Sequence, residues 1–362
     1  LTQRREDAEK TVDPLRLCVR SCGGEMRKEE RVTMAHGTGG RMTQRLIEEV
    51  FGKKFSNPIL DRMNDAALLP NEGGKLAFSI DGHVVSPLFF PGGDIGKIAV
   101  FGTVNDLAMM GARPLWLVAS FIIEEGLPMD TLRKIADSMA EAAEQAGVRL
   151  VGGDTKVVEK GKGDGVYISV AGVGVVPEGR EIDAGNARPG DVLVLSGPIG
   201  NHGITIMTQR EGLEFDADIG SDTAPLNGIV EALLEAAPHV HVMRDATRGG
   251  LATVLNELAS ASKVGIEMDE EAIPVEEPVE RACALLGLDP LYVANEGRFV
   301  AVVPPEEADA ALAAMRAHPL GERSAVIGEV VAAHPGRVVL RTTLGAKRIV
   351  GPLTGDLLPR IC

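Results

Sequence analysis

Aromatic side chains are scarce in this chain: Phe, Trp and Tyr make up 3% of 362 residues, with one Trp and two Tyr. Aromatic platforms for stacking bases or sugars are therefore not expected, whereas 43 glycines favour sites lined by backbone. Cysteine is equally sparse. Cys18, Cys22, Cys283 and Cys362 do not make a disulfide framework in a chain this long, which points to a reducing cytoplasm. Positive charge is in deficit: 37 Lys and Arg against 52 Asp and Glu leave −15, and no basic patch offsets it. Phosphate backbones would be repelled, so nucleic acid is not an expected partner. Long apolar runs are missing too. Leu115–Ile123 is the longest, far short of the ~20 residues a membrane span needs. The first thirty positions carry charge throughout and contain no signal-like apolar segment.

What remains is the composition of a folded protein, 44% hydrophobic and 25% charged, at a length that suits two domains. Residues 1–30 read as a charged, disordered leader. Residues 31–180 read as a mixed α/β domain. Its strands are Leu76–Ile80, Leu115–Ile123 (buried) and Val166–Val176, and Asp94 caps a helix from Ile95 to about Met110. Pro128 opens another helix, with Met129, Leu132, Ile135, Ala136 and Met139 inward and Gly147 as its stop. A Pro-Gly turn at Ala187–Asp191 leads into a second mixed domain, residues 181–350. Its expected strands are Val192–Leu195, Val240–Met243, Gly265–Met268, Phe299–Val303, Ala325–Val331 and Val338–Leu340. Its expected helices are Gly203–Gln209, Pro225–Ala236, Leu251–Ser262, Pro278–Leu286 and Pro305–His318. Gly351–Cys362 has two Pro, two Gly and no period, and reads as a mobile tail.

Acidic residues stand in unusual places. Asn64-Asp65 precedes an apolar run, Asp81-Gly82 closes a strand, and Asn105-Asp106 interrupts an apolar helix. Gly152-Gly153-Asp154 closes a further strand before Thr155-Lys156, and Asp245 sits in an Arg- and Gly-rich turn. Singly, each suits a cap or a turn. Brought together they repel, unless a hard cation such as Mg²⁺ lies among them, commonly with nucleotide phosphates. Two glycine loops, His36–Gly40 and Pro91–Asp94, precede helical stretches and could face an anion. Neither matches the P-loop pattern, and no dinucleotide fingerprint opens a βαβ unit. Cys283 lies in an apolar helix and reads as core, and His36, His83 and His202, beside loop glycines, could each touch phosphate but read first as surface residues. Lys156 and Glu296 lie in Gly-flanked turns next to strands, where catalytic groups are often placed. Cys362 is the last residue, on a stretch that could reach ~37 Å when extended. A thiolate there suits a carrier that accepts a group at one site and delivers it to another. A non-enzymatic alternative is a nucleotide-dependent scaffold whose cysteine tail binds metal or a partner.

The segment Asp81–Leu115 (DGHVVSPLFFPGGDIGKIAVFGTVNDLAMMGARPL) resembles the ATP-binding domain of the aminoimidazole ribonucleotide synthetase superfamily. AHGTGG at Ala35–Gly40, GGDTKVV at Gly152–Val158, MRDATRGGL at Met243–Leu251, NEG at Asn295–Gly297 and the final PRIC narrow the likeness. They resemble the HypE family of carbamoyl dehydratases of hydrogenase maturation, over residues 32–362. The resemblance implies an α/β (α+β) architecture of two mixed domains, with N-terminal sheets pairing into a barrel across a cytoplasmic homodimer. It implies ATP and Mg²⁺ as cofactors, with Asp65, Asp81, Asn105, Asp106, Asp154, Thr155, Gly39, Gly40, Asp245 and Arg248 on the nucleotide. Asp65, Asp81, Asp106, Asp154 and Asp245 would hold the metal. It further implies that the carbamoyltransferase HypF loads Cys362, that ATP drives dehydration of the S-carbamoyl group to an S-cyanate, and that the HypC–HypD complex takes the cyanide for the [NiFe] centre. Glu296 would take a proton from the amide nitrogen, and Lys156 would steady developing charge.

Overall fold

Strand β1 (Ala67–Asn71) turns back into β2 (Gly74–His83), and from there the first sheet is built by alternation. Ala77 and His83 of β2 are buried, and Phe78 and Ile80 between them face outward, the two-residue period of a half-covered strand. A short hairpin of β3 (Phe89–Phe90) and β4 (Gly93–Asp94) feeds helix α1 (Ile95–Met109). Then come β5 (Arg113–Glu124), α2 (Met129–Ala146), β6 (Arg149–Val158) and β7 (Val166–Val176). The sheet order is β1-β2-β7-β5-β6, antiparallel except for the parallel pair β5/β6 that α2 connects. This is a computed structural model, and it describes residues 40, 41, 44, 62, 64, 67–71, 74–212, 219–355 and 361–362. The leader, His36, Gly39, Asp65, Cys18 and Cys22 lie outside the described residues.

Asp94 caps α1 as its sequence position predicts. Its carboxylate accepts from the backbone N–H groups of Gly96 and Lys97, and the Ser138 hydroxyl of α2 donates to both its oxygens. Gly147, at φ 70°, ends α2 in the left-handed conformation. The inward stripe of α2 is Ile135, Met139, Ala142 and Ala146; Met129, 59% exposed, lies in a first turn that does not reach the core, and Ala136 falls off the stripe. Strand β5 is not buried on both sides as its apolar run suggested. Leu117, Ala119 and Ile123 point into the core, and Trp116, Val118 and Ile122 stay exposed on the other face. Nor does Gly152-Gly153-Asp154 end a strand, because β6 runs straight through it, exposed almost throughout.

The second half begins with β8 (Val192–Leu195) and α3 (Asn201–Glu211), followed by α4 (Asn227–Ala236), β9 (Val242–Asp245) and α5 (Gly250–Ser262). It continues with β10 (Gly265–Asp269), α6 (Glu277–Leu286), β11 (Phe299–Val303), α7 (Ala308–Ala317), β12 (Ala325–Val331), β13 (Arg337–Arg341) and β14 (Lys347–Val350). These strands form one seven-stranded sheet in the order β14-β13-β10-β12-β8-β11-β9. Every residue of β11 is buried. Val300 and Val302 pack with Leu251, Leu255 and Leu258 of α5 on one face, and Phe299, Ala301 and Val303 with Leu233 of α4 and Met315 of α7 on the other. Helix α1 joins the halves. It packs on β2, β5, β7 and α2 to one side and on α4 and β9 to the other, and has no solvent face along most of its length. Among the described residues no helix is long and apolar enough to cross a membrane.

Candidate active site

The seam between the two sheets opens into a cavity of about 310 Å³. Strand β2 brings Asp81 and His83 to it, and α1 brings Gly102 and Asp106. The turn after β9 supplies Asp245, Thr247 and Arg248, the loop before β11 supplies Glu296, and the chain end supplies Cys362. The inward alternation of β2 explains the first pair: Asp81 and His83 are two residues apart and share a face. Helix α1 lies across that face, so Thr103 Oγ1 donates to Asp81 at 2.9 Å and Ser79 Oγ donates to Asp106 at 2.6 Å. Gly102 makes room for His83, since a Cβ there would stand 3.0 Å from the ring Nε2.

Four carboxyls crowd this space, those of Asp81, Asp106, Asp245 and Glu296. Burial raises the pKa of Asp81, with Thr103 and Arg248 opposing. Burial pushes Asp245 up to about 6, with Arg244 opposing and Asp81 adding to the rise. Glu296 is driven well above the usual carboxylate range by burial first and then by Asp222 and Asp245. Its loop is fixed from behind. Asp222 accepts from the N–H groups of Glu296 at 3.3 Å and Gly297 at 3.1 Å, and no side chain fits at Gly297, whose Cβ would fall 1.9 Å from the Asp222 carbonyl oxygen.

Cys362 lies among these groups, 8% exposed and counted in the same core as Ile98, Phe101 and Ile168. Arg248 Nε donates to its Sγ at 2.8 Å and Arg248 Nη2 to its carbonyl oxygen at 3.1 Å. The N–H of Val84 reaches the same oxygen at 2.9 Å, and Ile361 pairs antiparallel with Val85. Burial pushes the thiol up to about 11, with Arg248 pulling the other way.

The chain matches the AIR synthase related protein family in both halves, the N-terminal domain over residues 63–176 and the C-terminal domain over residues 188–341. It is 56% identical to carbamoyl dehydratase HypE of Azotobacter vinelandii over 331 residues, 91% of this chain and 97% of that protein. The chain belongs to the HypE family. A crystal structure of a HypE–HypF complex superposes with a TM-score of 0.82 at 50% identity, covering 85% of this chain and 99% of that one. HypE in complex with ATP gives 0.78 at 49% identity, covering 92% and 100%.

The HypE-family motifs divide between two places. Asp81, Asp106, Asp245, Arg248, Glu296 and Cys362 meet at the cavity. Asp154, Thr155 and Lys156 do not; they lie exposed on β6, where Lys156 Nζ pairs with Asp154 at 3.0 Å. Asn105 is buried and fully used by the second half: its amide oxygen accepts from Leu226 N at 2.7 Å and its Nδ2 donates to Ala224 O at 3.1 Å. Gly40 lies against Leu353, whose carbonyl accepts from Arg41 N at 3.2 Å. Among the described residues no three Asp, Glu, His or Cys side chains come together as a metal site.

The histidine expectation needs correcting, because His83 and His202 are buried, 5% and 0% exposed. Burial lowers the pKa of His83 to about 4, and its Nδ1 has no hydrogen-bond partner. The spacing Asp81-x-His83 on an alternating strand was the signal that could have placed it. Asp222, which fixes the Glu296 loop, gave none. Its importance arises from a contact across 74 residues of sequence.

Proposed function

We propose that this chain is an ATP-dependent carbamoyl dehydratase that works on its own last residue. The observation that carries the reading is the buried Cys362 Sγ, 2.8 Å from Arg248 in a cavity that also holds Asp81, Asp106, Asp245 and Glu296. An S-carbamoyl group on this thiol would enter the cavity when the tail docks. Conversion of S–C(=O)NH₂ to S–C≡N removes the amide oxygen and both nitrogen protons. ATP supplies the phosphoryl group that makes that oxygen a leaving group, so the oxygen departs with phosphate and ADP is the other product. One nitrogen proton is lost to solvent as the amide oxygen is phosphorylated, and Glu296 in its carboxylate form, made more basic by burial, accepts the other as phosphate leaves. Arg248 steadies the negative charge that develops beside the sulfur.

Residues 31–180 serve ATP binding and dimerisation, and residues 181–350 complete the site. The lining fits Mg²⁺ and phosphates: the donors are hard oxygens, and crowded carboxyls with raised pKa values are relieved by a cation. Among the described residues no three carboxylates converge as a closed site, so Asp81, Asp106 and Asp245, with Asp65, would act as separate ligands to a Mg²⁺ that arrives with the nucleotide phosphates. The exposed face of β5 and β6 supports a homodimer whose sheets close into a barrel, and Lys156 would then serve the partner's site. HypF as donor of the carbamoyl group, the HypC–HypD complex as acceptor of cyanide and a cytoplasmic location complete the reading.

Mass spectrometry of the C-terminal peptide after co-production with the transferase tests it. A carbamoyl adduct on Cys362 that loses one water on addition of Mg-ATP is the expected result. An unmodified Cys362 in a validated system would instead support a nucleotide-dependent scaffold, as would ATP binding without turnover.

A further inference from the structure

His202 stands in the first turn of α3 with none of its surface exposed, yet both ring nitrogens are engaged. Nε2 is 2.6 Å from the carbonyl oxygen of Ile361, and Nδ1 is 2.8 Å from Ser221 Oγ. A carbonyl oxygen can only accept, so Nε2 carries the hydrogen. In a neutral ring Nδ1 is then the acceptor, and the Ser221 hydroxyl donates to it. Ser221 Oγ lies 2.6 Å from Thr223 Oγ1 and accepts from Thr223 N at 3.2 Å. The hydrogens therefore run one way, from Thr223 through Ser221 and the imidazole to the chain end. Phe90 packs edge-on against the ring, with centroids 5.5 Å apart. The loop that carries Ser221 is itself fixed, because Ser221 N donates to Pro91 O at 2.9 Å and a Cβ at Gly92 would strike the Ser221 carbonyl at 2.5 Å.

We propose that His202 is a positioning residue for Cys362: a latch that grips the Ile361 carbonyl through one fixed tautomer and so seats the chain end in the cavity. The proposal deepens the reading of Cys362 as the working thiol and rests on it. Arg248 and Val84 also hold the end, but Arg248 touches the sulfur and must respond to whatever the sulfur carries. At the chain end, His202 hydrogen-bonds to main chain, not to the sulfur. Its grip is the same for a bare thiol and a loaded one, so seating is separated from recognition of the cargo. Burial, which disfavours the charged imidazolium, keeps the ring in the neutral form this network requires, with Asp222 opposing.

Timed alkylation with iodoacetamide, read by peptide mass spectrometry, tests the latch on the full chain without nucleotide or carbamoyl donor. Buried Cys283 in α6 is the internal reference for general loosening. In His202→Ala, labelling of Cys362 should rise about five- to tenfold while Cys283 stays protected, the scale expected for one lost buried hydrogen bond. His202→Gln, which keeps a side-chain N–H donor, should recover part of the protection. Ser221→Ala, which removes the group that fixes the tautomer but leaves the imidazole in place, should give a smaller rise of about two- to threefold. Wild-type labelling of Cys362 in His202→Ala overturns the proposal. So does a parallel rise at Cys283 in every variant, which would make His202 a general packing residue. If His202→Ala does not fold, the Cys362 to Cys283 labelling ratio in Ser221→Ala decides alone. The readout involves no dehydration, so an unchanged rate refutes the latch and leaves the dehydratase reading standing, whereas an unmodified Cys362 in the mass-spectrometric test refutes that reading and with it the latch's role for a working thiol, even where the alkylation result shows that His202 holds the chain end.

Discussion

Asp245 shows how a single side chain trades stability for chemistry. Its carboxyl titrates at about 6 rather than 3.8, because burial disfavours the charge. The fold therefore prefers the neutral form. The stability this preference contributes is complete below about pH 4 and is lost as the pH rises through 6. Asp245→Asn keeps the neutral shape at every pH. Measured without nucleotide or metal, its unfolding free energy should come close to wild type at pH 4 and exceed it by on the order of 3 kcal/mol at pH 7. If Asp245 is the cation ligand proposed above, ATP-dependent dehydration should meanwhile fall at least tenfold. A stability difference that does not change between pH 4 and pH 7 would refute the electrostatic account. Glu296 and Asp81 are shifted in the same direction, so burial opposes ionisation at each of these carboxyls.

Among the elements, local signals were read well where one residue decides the outcome. Asp94 starts α1, Gly147 stops α2, and β8, β11 and β12 have the bounds their Val and Ile runs suggest. The misreadings come from contacts that sequence does not carry. Strand β5 looks buried because both its faces are apolar, yet one face is bare in the single chain. Strand β6 continues through two glycines because pairing with β5 over Trp116–Glu124 holds it extended. Strand β14 is short and charged and went unread; it is held by pairing with β13. At the site, the acidic residues and Cys362 could be picked out individually, but their convergence needed the register of β2 under α1. The bare face invites a direct test. Trp116, Val118, Ile122, Val151 and Val157 are each at least 43% exposed, an apolar surface that favours self-association. If this face forms the proposed homodimer, Val157→Asp should give a monomer where wild type gives a dimer in sedimentation equilibrium, with little change in the far-ultraviolet spectrum. A dimer that persists unchanged would place the interface elsewhere.

On the scale of the whole molecule, the separation of Lys156 from the cavity has a functional consequence. If each site takes Glu296 from one protomer and Lys156 from the other, two inactive proteins can repair each other. Lys156→Ala and Glu296→Gln should each lose dehydration alone. Mixed and allowed to exchange subunits, they should recover about a quarter of wild-type activity, since half of the dimers are then hybrids and each hybrid has one intact site. No recovery after demonstrated exchange would mean that both groups act from the same chain.

Helix α1 sets a problem of timing for synthesis. The sheet that covers one of its sides is encoded nearby, but the cover for its other side, α4 and β9, lies far downstream. A nascent chain therefore finishes most of its first half with an apolar helix open to water, and holds it so until Asn227–Ala236 and Val242–Asp245 have left the ribosome. Throughout that interval the chain is a substrate for chaperones, and a pause in translation between the two halves would prolong the exposure.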